Sequence, residues 1–193
     1  MVFIGSDTMP VTAQYFAETA YSFRNSGYTY EQYDCIQFVN LVLQTCGVPT
    51  LYPGTNTLWR NGTLTWQGTI AQAEVLFGSK PVGSLLFRIR PESDPHYNDP
   101  PEIPPQYYMD GIGNVTHVGI YTNLGMGVMQ SGGYGNPPGF NGVHDSIFDP
   151  NYWTHLALCP NIIYNISPRL DLPTWLLFQF NKRKEMKHKW VII

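Results

Sequence analysis

A chain of 193 residues, 43% hydrophobic and 15% aromatic, is long enough for one domain with a substantial core and too apolar to be disordered. Charged residues make up only 13%, and the formal net charge of −3 gives no electrostatic case for nucleic-acid binding. Cys35, Cys46 and Cys159 lack CxxC spacing, which argues against a zinc centre and implies at least one free thiol in a monomer. No apolar run reaches transmembrane length. The first seven residues lack a basic stretch followed by an apolar one and do not read as a signal peptide.

Taken in chain order, Pro10 to Asn25 reads as a helix, capped from Thr8 or Ser6, with Ala13, Phe16, Ala17, Ala20 and Phe23 on one face. Tyr28 to Tyr33 is a tyrosine-rich loop. A second helix runs from about Cys35 to Thr45, with Asp34 and Gln37 spaced as a capping box. Its polar stripe is narrow (Gln37, Asn40, Gln44), so the helix is a buried one. Gly47 ends it, with Pro49 just beyond. Pro49 to Gly68 reads as loop, Thr69 to Phe77 as a short helix, Pro81 to Ser84 as a turn, and Leu85 to Ile89 as the first strand.

Arg90 to Thr116 carries six prolines and reads as a surface loop or a lid beside a site. Strands follow at His117 to Tyr121, Gly127 to Gln130 and Leu156 to Cys159, the first two joined by a hairpin turn at Asn123-Leu124-Gly125. Gly132 to Gly142 is a Gly/Pro-rich loop. After Pro168 the composition shifts, and basic Asn181 to Lys189 reads as a solvated tail or the start of a linker, with attraction to anionic cell-wall or membrane polymers the alternative. Helices followed by an antiparallel sheet make the class α+β, with one domain over 1–165 and a C-terminal extension over 166–193.

A cysteine at a helix start is a candidate nucleophile, because the helix N-terminus favours the thiolate and should lower the Cys35 pKa. A cysteine hydrolase also needs a base, a group that orients the base, and donors for an oxyanion. His117 is the candidate base and the Cys35 backbone N–H a candidate donor. A hairpin centred near residue 124 sets position 117 opposite about 130 to 131, which makes Gln130 the candidate orienter. His96, His144, His155 and His188 are the rivals of His117. The strongest is His144, beside Asp145, but neighbours on a strand point to opposite faces. Cys46 and Cys159 read as core.

These residues resemble the NlpC-type cell-wall peptidases, a family of papain-like cysteine hydrolases. The resemblance rests on Gly27-Tyr28-Thr29-Tyr30, Tyr33-Asp34-Cys35-Ile36-Gln37-Phe38-Val39, Cys46-Gly47-Val48, Pro81 to Phe87, Thr116-His117-Val118-Gly119-Ile120-Tyr121, Val128-Met129-Gln130-Ser131, Gly142-Val143 and Tyr152-Trp153. The matches follow the family's order and span roughly 10 to 160. The resemblance implies a papain-like fold and hydrolysis of peptidoglycan stem peptides, commonly between a D-γ-glutamyl residue and a diamino acid, with no metal or organic cofactor. It implies Cys35 as nucleophile, His117 as base and Gln130 as orienter. Tyr28 or Tyr30 would stand near the oxyanion, Asp34 would meet the free amine of a stem peptide, and Tyr33, Ile36 and Thr116 complete the expected substrate-binding set. Ile36 and Gln37 stand where the family usually has Ser and Gly, and Gln130 where it more often has His. The absence of a signal peptide fits a phage or prophage lysin, a virion-associated hydrolase or a domain cut from a longer chain. Two alternatives are a non-catalytic wall-binding module on the same fold and a papain-like amidase or acyltransferase with another substrate.

Overall fold

The helix that begins at Cys35 forms because its first turn is closed on both sides. Asp34 accepts the Gln37 backbone N–H at 2.8 Å, and the Gln37 side chain accepts the Asp34 N–H at 3.1 Å. Gly47, at φ 76°, turns the chain out of the far end. The computed structural model describes residues 11–48, 53–61, 63–97, 110–133 and 141–166.

The elements in order are β1 (Val11–Thr12), α1 (Ala13–Ser22), a 3-10 turn (Phe23–Asn25), α2 (Cys35–Thr45), α3 (Thr55–Arg60), β2 (Trp66–Thr69), α4 (Ile70–Phe77), β3 (Leu85–Arg90), β4 (Asn114–Tyr121), β5 (Gly127–Gly132), β6 (Gly142–Ile147), β7 (His155–Leu158) and β8 (Ile162–Ile163). Six strands form one antiparallel sheet in the order β2-β7-β3-β4-β5-β6, while β1 and β8 pair in parallel. The class is α+β.

Two apolar layers flank the sheet. The larger holds Phe16 and Ala20 of α1, Phe38, Val39, Val42 and Leu43 of α2, and Leu58 and Trp59 of α3 against Phe87, Val118, Ile120 and Met129. The smaller packs Ile70 and Ala73 of α4 with Leu86, Val128, Trp153 and Leu156. The alternation Leu86/Phe87 and Val128/Met129 between layers is the strand period of two.

Several expectations are corrected. Thr12, not Thr8 or Ser6, caps α1, because its hydroxyl reaches the Tyr15 N–H at 3.2 Å; the two earlier residues lie outside the described residues. The stretch expected to be loop contains α3 and β2. Gly54 gives α3 no side-chain cap, so tertiary contacts hold this helix. Asn56 donates to Asn114 Oδ1 at 2.9 Å and accepts the Val115 N–H at 3.0 Å, while Thr55 donates to the Val115 carbonyl. Residues 142–147 form the edge strand β6. The basic tail, the extension from 167 onward and the middle of the proline-rich stretch lie outside the described residues.

Phe38 is fully buried and meets Phe23 edge-on at 6.1 Å. Phe38→Ala is expected to cost about 3–5 kcal/mol, read as a lower urea midpoint with an unchanged slope.

Candidate active site

Cys35 is the first residue of α2 and only 6% exposed. Its thiol lies close to the backbone N–H groups of Val118, Ile36 and Cys35 itself and to the Tyr30 hydroxyl. The β4–β5 pairing begins only at Gly119, so the Val118 N–H, on the β5 side of its strand, is left for the sulfur. Those N–H groups favour the thiolate, but burial outweighs them. Burial first, and the Asp34 carboxylate second, push the Cys35 thiol up to about 12. The expected lowering by the helix start is therefore overturned: a helix terminus gives only a fraction of the desolvation cost of a buried anion. Tyr30 is raised as well, by burial and then by the Cys35 and Asp34 charges.

His117 owes its direction to a β-bulge. Arg88 pairs with His117 and Ile89 with Val115, so Thr116 is an extra residue in β4. Val115 and Val118, three positions apart, both enter the larger apolar layer. The His117 ring turns the other way and stacks on Trp153 at 5.5 Å and 28°. Gly119 makes room for that indole; a Cβ there would stand 2.9 Å from Trp153 Cη2.

The pairing register differs by one to two residues from the expected one, with Gln130 opposite Gly119. His117 and Gln130 are thereby diagonal neighbours on one face, within reach of long side chains. His117 Nε2 lies 2.7 Å from Gln130 Oε1, and Gln130 Nε2 donates to Ser146 Oγ at 2.7 Å. The Ser146 hydroxyl donates in turn to the Val128 carbonyl at 3.4 Å. The chain has one direction: with its hydrogen on Val128, Ser146 accepts the amide N–H, which turns Gln130 Oε1 to the ring. The ring proton then sits on Nε2 and the lone pair on Nδ1.

Burial, ahead of the hydrogen bond to Gln130, lowers His117 to about 4, and His144 and Arg88 push the same way. Near neutral pH the resting pair is therefore thiol and neutral imidazole. The two are not hydrogen-bonded to each other; Tyr152 is their common neighbour, edge-on to His117 at 6.0 Å and coupled to the Cys35 charge. His144 faces Gln130 directly across β5–β6, and its Nδ1 is 2.8 Å from the Gly142 carbonyl oxygen. Asp145 turns to the Met126 N–H at 2.8 Å instead.

Of the tyrosines in the 28–33 loop, Tyr30 is the one set close to the thiol. Tyr28 and Tyr33 pack on each other at 4.8 Å and against the larger apolar layer. The Tyr28 carbonyl accepts the Val143 N–H at 2.9 Å, and Ser131 Oγ donates to the Tyr33 carbonyl, so the loop is strapped to β5 and β6. Ile36, 3% exposed, packs in the larger apolar layer. Thr116 donates to the Arg88 carbonyl at 3.4 Å. Asp34 is spent on the cap and on the field at Cys35. Cys159 is fully buried and Cys46 half-buried. Ser146, Arg88 and Gly119 escaped the reading of the sequence. Only Ser146 had a signal there, the alternation that sets it on the face of His144.

Among the described residues, no group of three or more His, Cys, Asp or Glu side chains is placed to hold a metal ion, and no helix is long and apolar enough to cross a membrane. Comparison of the chain with family models, curated proteins and solved structures finds no match.

Asp34→Asn keeps a good N-cap and removes the charge. It is expected to leave the urea midpoint within about 0.5 kcal/mol and to speed iodoacetamide labelling of Cys35, followed by peptide mapping. His117 sets a second expectation. Between about 4 and its ordinary 6.5, the unfolded chain binds a proton at this ring that the folded chain does not. Stability should fall by up to about 3 kcal/mol as pH drops through that window, with half-buried His155 adding in the same sense. Urea titrations at several pH values should show a shallower fall for His117→Ala.

Proposed function

We propose that the protein is a peptidoglycan hydrolase of papain-like fold, a cysteine endopeptidase that cuts stem-peptide bonds between D-γ-glutamyl and a diamino acid. The observation that carries the reading is the oriented chain His117–Gln130–Ser146, next in sequence to the Val118 N–H that faces the sulfur of a cysteine at a helix N-terminus. A merely structural histidine has no need of a fixed tautomer with its lone pair free.

In this mechanism the Cys35 Sγ–H proton passes to His117 Nδ1 as sulfur attacks the scissile carbonyl. The oxyanion takes the Cys35 backbone N–H and the Tyr30 hydroxyl as donors. Collapse expels the amine, which leaves with the proton from Nδ1, and a thioester remains. Water then attacks the thioester with Nδ1 as base, and the acid departs as Sγ regains its proton. Because the resting pair is neutral, proton transfer accompanies attack rather than preceding it. Gln130 accepts the imidazolium N–H without bringing a charge, so it stabilises that ion less than a carboxylate would. The action belongs at the bacterial cell wall, as a phage or prophage lysin, a virion-associated hydrolase or a domain of a longer chain.

The high resting pKa of Cys35 favours a second reading, a wall-binding module without catalysis. Mass spectrometry of digested peptidoglycan separates the two. Wild type should release cleaved stem peptides, and Cys35→Ala and His117→Ala should lower the rate about a thousandfold or more with circular dichroism unchanged. Digestion at the wild-type rate by either variant overturns the assignment. Co-sedimentation with walls and no new peptide ends would establish the binding module instead.

A further inference from the structure

We propose that Ser146 is a positioning residue of this site: it decides which nitrogen of His117 carries the proton, and so keeps Nδ1 free to act as the base. This role rests on the hydrolase reading above and supplies what that reading needs from its base.

An amide can face a neutral imidazole in two ways. With Oε1 toward the ring, Gln130 accepts the proton of His117 Nε2. Turned over, its N–H donates to a lone pair on Nε2, and the ring proton must then sit on Nδ1. The 2.7 Å contact between the two side chains is compatible with either. The Trp153 ring, stacked on the imidazole at 5.5 Å, fixes the plane of the ring and not the place of its proton.

The choice is made at the far end of the amide, where Gln130 meets Ser146 Oγ at 2.7 Å. A hydroxyl alone would not decide, since it can also donate to the amide oxygen. Here Ser146 stands opposite Val128 in the β5–β6 ladder, and its hydrogen goes to the Val128 carbonyl at 3.4 Å. An oxygen so committed can only accept, and the end of the amide that it accepts from is the N–H.

The sheet sets this line up as two successive diagonals. Gly119 pairs with Gln130 and Val128 with Ser146, so His117, Gln130 and Ser146 cross three strands on one face. All three side chains are buried, so a partner lost here is costly. Without the Ser146 oxygen, Gln130 in its present direction would bury an unpaired N–H. Turned over, it would bury an unpaired carbonyl oxygen, the lesser cost. The ring proton would then move to Nδ1 and occupy the atom that has to take the thiol proton.

The ring is uncharged near neutral pH, so its tautomer can be read directly. The test is a two-bond proton–nitrogen correlation spectrum at neutral pH, with the His117 signals assigned from their loss in His117→Gln. His144 is the internal reference of the opposite kind, because its Nδ1 lies 2.8 Å from the Gly142 carbonyl oxygen, which can only accept. Wild-type His117 should read as the Nε2–H tautomer and Ser146→Ala mainly as Nδ1–H, with His144 unmoved. On a soluble stem peptide holding the D-γ-glutamyl to diamino-acid bond, Ser146→Ala should lower kcat about tenfold and leave KM within about twofold. Ser146→Thr, which keeps the oxygen, should retain the wild-type tautomer and restore most of kcat. Circular dichroism and thermal melting check the fold of both variants.

An Nδ1–H tautomer in wild type would overturn the role of Ser146, as would a Ser146→Ala protein that melts lower or reacts more slowly with its His117 tautomer unchanged. A tautomer shift in Ser146→Ala without cleavage by wild type would sink the hydrolase reading and keep Ser146 as the residue that sets the ring proton. A shift with kcat unchanged would leave the hydrolase standing and overturn Ser146 as a positioning residue for its base.

Discussion

One extra residue in β4 decides how this molecule can present a histidine. Without the bulge at Thr116, strand alternation would send residues 115 and 117 to the same face, into the apolar layer under α2. With it, Val115 and Val118 fill that layer and His117 turns to Trp153 and Gln130. The bulge is itself held from outside the sheet. Asn56 and Thr55 of α3 take the N–H and the carbonyl of Val115, which pins the strand one residue before the insertion. A six-residue helix with no cap of its own thus persists because it satisfies backbone groups at the point where the ladder is broken.

Desolvation governs the chemistry of the pair. A thiolate and an imidazolium attract each other, but taking both from water costs more than a helix terminus and one neutral amide return. Burial accordingly pushes the thiol up and the imidazole down, and the resting state is neutral. Such a site depends on geometry more than on a standing charge. The imidazole is held by the Trp153 ring, by the space above Gly119 and by the Gln130–Ser146 chain, while the thiol is held by the first turn of α2.

Local rules made part of this legible in the chain. The Asp34/Gln37 cap, the bounds of α2, the short helix ending at Phe77 and the hairpin at Asn123 follow from residue types a few positions apart. The helix α3 and strand β2 do not. Their sequence is broken by Gly, Pro and Asn, and tertiary contacts, chiefly with β4 and β7, hold them in place. Gln130 was reached by counting from the turn, although the count was one to two residues out. It lies on the face of His117 as a diagonal neighbour rather than directly opposite, because side chains two apart on a strand share a side.

The pKa of Cys35 was misread for a related reason. A helix N-terminus is visible in sequence, whereas the depth at which it is buried is not. Asp34 has two opposing effects that one letter cannot separate. Its side chain closes the first turn and so sets the position of Cys35, and its charge raises the pKa of that same thiol. Cap and field act within one residue of each other, so the interaction that places the sulfur also keeps it protonated. In the proposed hydrolase, capture of the thiol proton by Nδ1 of His117 would have to coincide with formation of the carbon–sulfur bond, since neither ion is stable alone in this interior.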